Sequence, residues 1–327
     1  MSQEYADWCF GAKLQDIDPD VGEIIRLEEE RQARHLILIP SESMAPAPVR
    51  EALSSVFNNV YAEGYPPLRM TREEEKLLLD FGHQLTHYRR YGDRRFYKGA
   101  EYVHFVEALA QRRCAQAFAN GQVRAENIYV NVQPLSGAAA NLAVYEAFMQ
   151  PGDVLMGMDL LHGGHLTHGS EFNISGKRYR VASYGVNRAT GQLDYAQIMN
   201  LAREVHPKII VAGYTSYPWA PDWEKFREIA DACGAFLMAD IAHPAGMVVA
   251  GAYPSPVGLA DVITFTTHKT LFGPRGACIL TTDEENAQRV DMAVFPGEQG
   301  GPHVNKFAAM AVAFKIAQSD CFKALQH

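Results

Sequence analysis

The chain has 327 residues, 47% of them hydrophobic and 21% charged, and carries a formal charge of -8. That is ordinary globular composition with ample apolar material for a core, so disorder, collagen and coiled coil are excluded as descriptions of the whole. No stretch approaches the roughly 18 consecutive apolar residues of a membrane-spanning helix, and the acidic surplus argues against a nucleic-acid surface.

The first residues, MSQEYADWCFGAKLQDIDPD, carry acidic groups and no apolar run of a secretory signal, so the cytoplasm is the expected location. Asp20 to His35 reads as a charged, amphipathic helix, and IPSES (39–43) as a turn leading into a second helix. Residues 67–93 read as a charged helical stretch between Pro66-Pro67 and Gly92. Its EEE and RR clusters suit a solvated helix face, the alternative being a partner-binding element.

From about Asn127 onward, short apolar runs alternate with helical patterns, without internal repeats. The runs are NIYVNV (127–132), DVLMGM (153–158), KIIVAGY (208–214), AFLMAD (235–240), DVITFTT (261–267) and ACILTT (277–282). Between them lie helical segments such as 137–150 and 222–234. In the latter, Trp223, Phe226, Ile229, Ala230 and Cys233 form an apolar stripe, and Gly234 reads as its C-cap. This alternation predicts an α/β fold with a mostly parallel sheet between helices, and ligands beyond the carboxyl ends of the strands. The five cysteines are scattered, without a CxxC pair, and read as buried or semi-buried free thiols.

Three strand ends carry chemistry. In TFTTHKTLFGPRG (264–276) a strand runs into His268-Lys269 among Thr266, Thr267 and Thr270. A lysine there is partly desolvated, which favours a neutral amine able to attack a carbonyl; the ordinary alternative is a surface charge. In MADIAHPAG (238–246), Asp240 and His243 end the preceding strand, where a carboxylate either caps a helix or pairs with a cationic ring nitrogen. In QPLSGAAAN (133–141), Ser-Gly opens a helix of small residues, a ready anion site. Together they describe a pyridoxal phosphate site: phosphate cup, pyridinium aspartate and Schiff-base lysine. HGGHLTH (162–168) spaces three histidines by three, but its Gly-Gly argues for a loop, so stacking of an imidazole on an aromatic cofactor is preferred to a metal site.

With YAEGYP (61–66), GAEYV (99–103), NVQPLSG (131–137), HGGHLTHG (162–169), FTTHKTLFGPRG (265–276) and GEQGGP (297–302), the sequence resembles serine hydroxymethyltransferase from about Asp18 to its last residue, apart from 67–93. The resemblance implies a fold-type I pyridoxal-phosphate enzyme whose large domain holds a seven-stranded-type sheet, preceded by an N-terminal helical arm. It implies an arm and dimer-contact segment over 1–60, the cofactor domain over 61–305 with a helical insert at 67–93, and over 306–327 the start of a linker to a smaller C-terminal domain beyond the chain's end. That domain would supply the arginine that clamps the substrate carboxylate, since 303–327 contains none.

Residue by residue, the resemblance implies that Lys269 binds the cofactor covalently and Asp240 pairs with the pyridinium nitrogen. His165 would stack on the ring, with His243 near the ring hydroxyl and Thr215 near the ring oxygen. Ser136 and Gly137 would bind phosphate, with Gly300 and Gly301 contributing from the other subunit. Ser41 would contact the substrate carboxylate, while Tyr61 and Glu63 would reach across a homodimer interface, Glu63 transferring protons. Tyr97 matches an active-site tyrosine, Arg275 would anchor the GPRG loop near the cofactor lysine as a cofactor-binding residue, and Thr266 and His268 are expected to be catalytic with Lys269, Tyr61, Glu63 and Tyr97. Phe96 stands where the family has tyrosine, and Ala138-Ala139 replace Ser-Gln. The implied reaction interconverts serine and glycine with tetrahydrofolate as one-carbon acceptor. The alternatives are a folate-independent β-hydroxy amino acid aldolase and a non-catalytic, cofactor-binding dimer.

Overall fold

The computed structural model describes residues 3–90 and 94–327. The chain divides into two units, residues 1–42 and 43–327. In the first, helices Gln3–Gly11, Leu14–Ile17 and Pro19–Arg34 follow one another. The third begins because Asp18 accepts the Val21 N–H at 3.0 Å and Pro19 takes the first helical position. Arg26 pairs with Glu23 and Glu30, and Arg31 with Glu28, along its surface. Tyr5, Trp8, Phe10, Ile24, Leu36 and Leu38 are all exposed in this unit.

The second unit is built on seven strands: β1 (Tyr129–Asn131), β2 (Val154–Met158), β3 (Arg180–Tyr184), β4 (Ile209–Gly213), β5 (Phe236–Asp240), β6 (Val262–Thr266) and β7 (Ala277–Thr281). Their order is β1-β7-β6-β5-β4-β2-β3, with β7 antiparallel to both its neighbours and every other pairing parallel. Six runs read from the sequence are six of these strands. The seventh, β3, escaped the apolar-run signal because it is an edge strand with Arg180, Val181 and Ser183 exposed.

Alternation divides the core into two layers. Leu155, Ile209, Val211, Met238, Val262 and Ile279 face the helix Gly137–Phe148, while Met156, Ile210, Leu237, Ile263 and Leu280 face the opposite layer. That layer includes Phe118, Phe226, Ile229, Phe307 and Phe314, from helices Glu101–Phe118, Trp223–Cys233 and Val304–Ala317. Gly234 ends the middle one in the left-handed conformation, φ 68°, as its C-cap reading requires. The thiols are less uniform than expected: Cys114 and Cys278 are buried and Cys233 half-buried, but Cys9 and Cys321 are exposed.

The charged stretch at 67–93 is not one continuous helix. It forms Leu68–Arg72, Glu75–Leu78 and Phe81–Arg90, because Glu73 and Glu74 adopt extended backbone after the first and Asp80 starts a new turn by accepting the His83 N–H at 3.1 Å. Nor is its EEE cluster simply solvated. Glu73 pairs with Arg69, and Glu75 Oε1 accepts from Arg113 at 2.6 Å; only Glu74 is exposed. Met70 and Leu78 bury against Phe105 and Ala108, so the stretch is docked by its apolar side. The Arg89 and Arg90 side chains and Gly92 lie outside the described residues.

His104, near the start of Glu101–Phe118, is 1% exposed and neither ring nitrogen has a hydrogen-bond partner among the described residues. Burial pushes its pKa down to about 3, helped by the charges of Arg95 and Lys98. The unfolded imidazole titrates near 6.5, so below that pH the unfolded state takes up the proton and the native state loses stability. His104→Leu is therefore expected to keep or raise stability at pH 7 and to reduce the loss between pH 7 and 4.5 by about 1–3 kcal/mol. Urea unfolding at both pH values tests this; an unchanged pH dependence contradicts it.

Candidate active site

The parallel sheet gathers the chemistry at one edge. Beyond the carboxyl ends of β1, β2, β4, β5 and β6 lie Ser136, His165, Thr215, Asp240 with His243, and Lys269. Because β7 runs the other way, Arg275 and Gly276 enter it from the same edge. Residues far apart in sequence therefore converge where open α/β sheets take their ligands.

Lys269 is 8% exposed and its amine bonds to no described residue. Burial pushes its pKa down; Asp240 pulls it up and Arg275 adds to the lowering. A neutral amine is thus easier to form here than on the surface. The flanking loop is held by Thr267, whose Oγ1 donates to the Pro274 carbonyl at 2.6 Å and whose own carbonyl accepts the Gly273 N–H at 2.7 Å. Arg275 itself is exposed and donates to no described residue; it acts on Lys269 and His268 by charge. Thr266 Oγ1 donates to the Ala242 carbonyl at 3.2 Å, tying the lysine strand to the aspartate strand. His268 is half-buried, and its pKa falls to about 4 through burial, Arg275 and Lys269.

Asp240 is 9% exposed and held by side chains that its motif does not disclose. Its Oδ2 lies 2.9 Å from both His168 Nε2 and Asn141 Nδ2, and its Oδ1 accepts the Ala242 N–H at 3.0 Å. Burial raises its pKa, but the bond and charge of His168, then Asn141 and the Ala242 N–H, outweigh it and keep the carboxyl below its usual range. Asn141 is fixed in turn, its Oδ1 accepting from Thr264 Oγ1 at 2.7 Å. His168 and Asn141 sit inside quoted motifs, yet nothing in their spacing reveals the shared partner.

His168→Phe should leave the Asp240 carboxylate buried without the ring nitrogen that bonds it at 2.9 Å. Asp240's lowered pKa gives stability that is present above the unfolded value near 3.9 and lost as pH falls. The variant is expected to lose about 1.5–3 kcal/mol at neutral pH, and less near pH 4 where the carboxyl can take up a proton. Unfolding at pH 7 and 4 reads the difference; a cost that grows on acidification contradicts it.

The three histidines of HGGHLTH face different partners. His162 Nδ1 accepts the Val186 N–H at 3.2 Å, His165 Nδ1 lies 2.7 Å from Thr167 Oγ1, and His168 serves Asp240. Gly163, at φ 114°, lets this turn close over Thr215, whose Oγ1 donates to the carbonyls of Gly163 and Gly164 at 3.1 and 2.9 Å. Burial lowers the pKa of His165, and that of His243 falls to about 4 through burial and Lys269. Both imidazoles are therefore neutral at pH 7.

Ser136 caps the helix Gly137–Phe148, its Oγ accepting the Ala139 N–H at 3.4 Å, and both Ser136 and Leu135 are exposed at the helix mouth. A Cβ on Gly137 would come within 2.8 Å of Thr266 Cγ2, so only glycine lets the cup lie against the lysine strand. An anion cup, an ionised buried carboxylate, neutral imidazoles and a poised amine suit a phosphorylated aromatic aldehyde.

The loops around Tyr61 and Tyr97 are joined. The Glu63 N–H donates to Tyr97 Oη at 3.1 Å, the Phe96 N–H to the Glu63 carbonyl at 3.2 Å, and Gly64 bridges Arg95. Phe96, unable to hydrogen bond through its ring, packs 5.1 Å from Phe295. Tyr61 is 69% exposed, and a Cβ on Gly301 would strike its ring, so Tyr61 and the GEQGGP loop share one exposed patch. Glu63 is half-buried and Gly300 exposed. Ser41 lies in a turn of the first unit. Among the described residues, no helix is long and apolar enough to cross a membrane.

The family model described as serine hydroxymethyltransferase matches residues 14–89 and 76–327, the two segments overlapping inside the 67–93 stretch. The chain is 44% identical over 314 residues to a serine hydroxymethyltransferase of Acinetobacter baumannii, covering 96% of this chain and 67% of that relative. It is 46% identical over 310 residues to the one of Methanosarcina barkeri, covering 95% and 67%. With that of Teredinibacter turnerae the identity is 47% over 314 residues, covering 96% and 67%.

Proposed function

Since the chain belongs to the serine hydroxymethyltransferase family, we propose that it interconverts serine and glycine, using pyridoxal phosphate as cofactor and tetrahydrofolate as one-carbon acceptor. The observation that carries this is the convergence of a buried Lys269 whose amine bonds to no described residue, the His168-bonded Asp240 and the Ser136 cup on one sheet edge.

When bound, pyridoxal phosphate supplies an electron sink for the charge left at Cα as the Cα–Cβ bond of serine breaks. Lys269 would attach it, its lowered pKa favouring the nucleophilic amine. Asp240, kept ionised, would hold a proton on the ring nitrogen. His165 would lie against the ring, and His243 and Thr215 would serve its oxygen. Ser136 and Gly137 bind phosphate, while Arg275 sets the charge around Lys269 and Thr266 and His268 frame it. Tyr97 orders the Glu63 backbone. Glu63 moves the proton of the substrate hydroxyl.

The exposed rings of unit one and the patch of Tyr61, Glu63, Gly300 and Gly301 suit a homodimer in which that patch completes the partner's site. The cytoplasm is its proposed compartment. The test is turnover of the cofactor-loaded chain. Serine cleavage that requires tetrahydrofolate supports the reading; threonine cleavage with folate-independent rates and no serine cleavage overturns it in favour of an aldolase.

A further inference from the structure

Resting on that cofactor reading, we propose that Lys306 is a positioning residue for the phosphate end of the site, joining the cup of 133–137 to the glycine loop of 297–302 from behind. Lys306 lies in the first turn of helix Val304–Ala317, just past the glycine loop, and is 3% exposed. Its Nζ donates to the carbonyls of Gln133 at 2.9 Å and Pro134 at 2.8 Å. Those carbonyls immediately precede the turn that becomes Ser136 and Gly137. Gln299 closes the same joint, its Nε2 donating to the Gln133 carbonyl at 3.1 Å and its Oε1 accepting the Leu135 N–H at 3.0 Å. The Pro134 carbonyl also accepts the Ala277 N–H at 3.2 Å, which ties the cup to β7.

Among the described residues, the charge of Lys306 has no bonded counter-ion. The titratable groups facing it are Glu107 and Cys278, and the Glu107 carboxylate is already committed to Arg95 and to Gln133 Nε2. Burial pushes the ammonium down to about 8. An unpaired buried ammonium is destabilising, and an apolar side chain would fit beside Phe307 and Met310 at less cost. A bound phosphate supplies negative charge at the cup two residues along the chain from the carbonyls that Lys306 holds. Lys306 thus serves the ligated state, where orientation of the cup and a fixed positive charge both favour the anion.

The test compares pyridoxal phosphate with pyridoxal, which lacks the phosphate, by visible absorbance titration of the whole chain. K306M is expected to weaken pyridoxal phosphate by about 10- to 100-fold while leaving pyridoxal within about threefold. Equal loss of both ligands, the signature of a merely structural role, overturns the proposal, as does no loss of either. K306Q, which keeps a donor for the carbonyls without the charge, is read in the same titrations should K306M not fold. A wild-type chain that binds neither ligand sinks the cofactor reading itself, a result distinct from a variant that loses phosphate selectivity.

Discussion

Lys269→Ala is expected to abolish the visible absorbance of the cofactor-loaded chain and to lower serine turnover by on the order of 10³-fold or more, the scale of loss when a covalent nucleophile is removed. Lys269 lies three residues beyond β6, where its neighbours are otherwise engaged: Thr267 donates to the Pro274 carbonyl, Thr266 to that of Ala242 and Thr270 to that of His243. Three hydroxyls thus satisfy the local backbone, so removing the amine breaks no hydrogen bond among the described residues. Thermal unfolding of the ligand-free variant should show a loss of no more than about 1 kcal/mol, because the amine removed is buried without a bonded partner among the described residues. Loss of absorbance with a large loss of stability would instead mark Lys269 as a structural residue.

Glu107→Leu carries the largest expected effect on stability, a loss of about 3–5 kcal/mol. Glu107 and Arg95 form a pair with side chains 0% and 1% exposed. Arg95 Nη1 also donates to the carbonyls of Ala62 and Gly64, at 2.9 and 2.6 Å, and Gln133 Nε2 donates to Glu107 Oε1 and the Gly64 carbonyl, both at 2.8 Å. Removing the carboxylate strands a guanidinium in the core and takes away the group that joins Arg95 to Gln133, leaving the Gln133 bond to the Gly64 carbonyl to hold the Tyr61 loop to the cup. The double variant Arg95→Met with Glu107→Leu should recover part of the loss, because replacing both charges removes the uncompensated one. Urea unfolding of the three variants measures this; a single-variant cost below about 1 kcal/mol contradicts the network's role.

The sheet was legible because strands apolar on both faces leave unbroken runs, and the capped helices because Gly234 and Ser136 mark their ends. β3 was not, since an edge strand needs no such run. The broken 67–93 stretch was read as continuous because charge patterning is blind to the extended backbone at Glu73 and Glu74. At the site, the motifs exposed residues that stand at strand ends: Lys269, Asp240 and Ser136. They could not expose supporting groups whose partners are distant in sequence. His168 meets Asp240 across 72 positions, and Lys306 meets Gln133 across 173. Such pairings are made by strand order, which no local pattern encodes.

The most direct test is to reduce the cofactor-loaded chain with borohydride, digest it and map the modified peptide by mass spectrometry. Phosphopyridoxyl on Lys269, and its absence from Lys269→Ala, is the predicted result. Modification of another lysine, or none in a folded chain saturated with pyridoxal phosphate, would contradict the assignment of this sheet edge as the cofactor site.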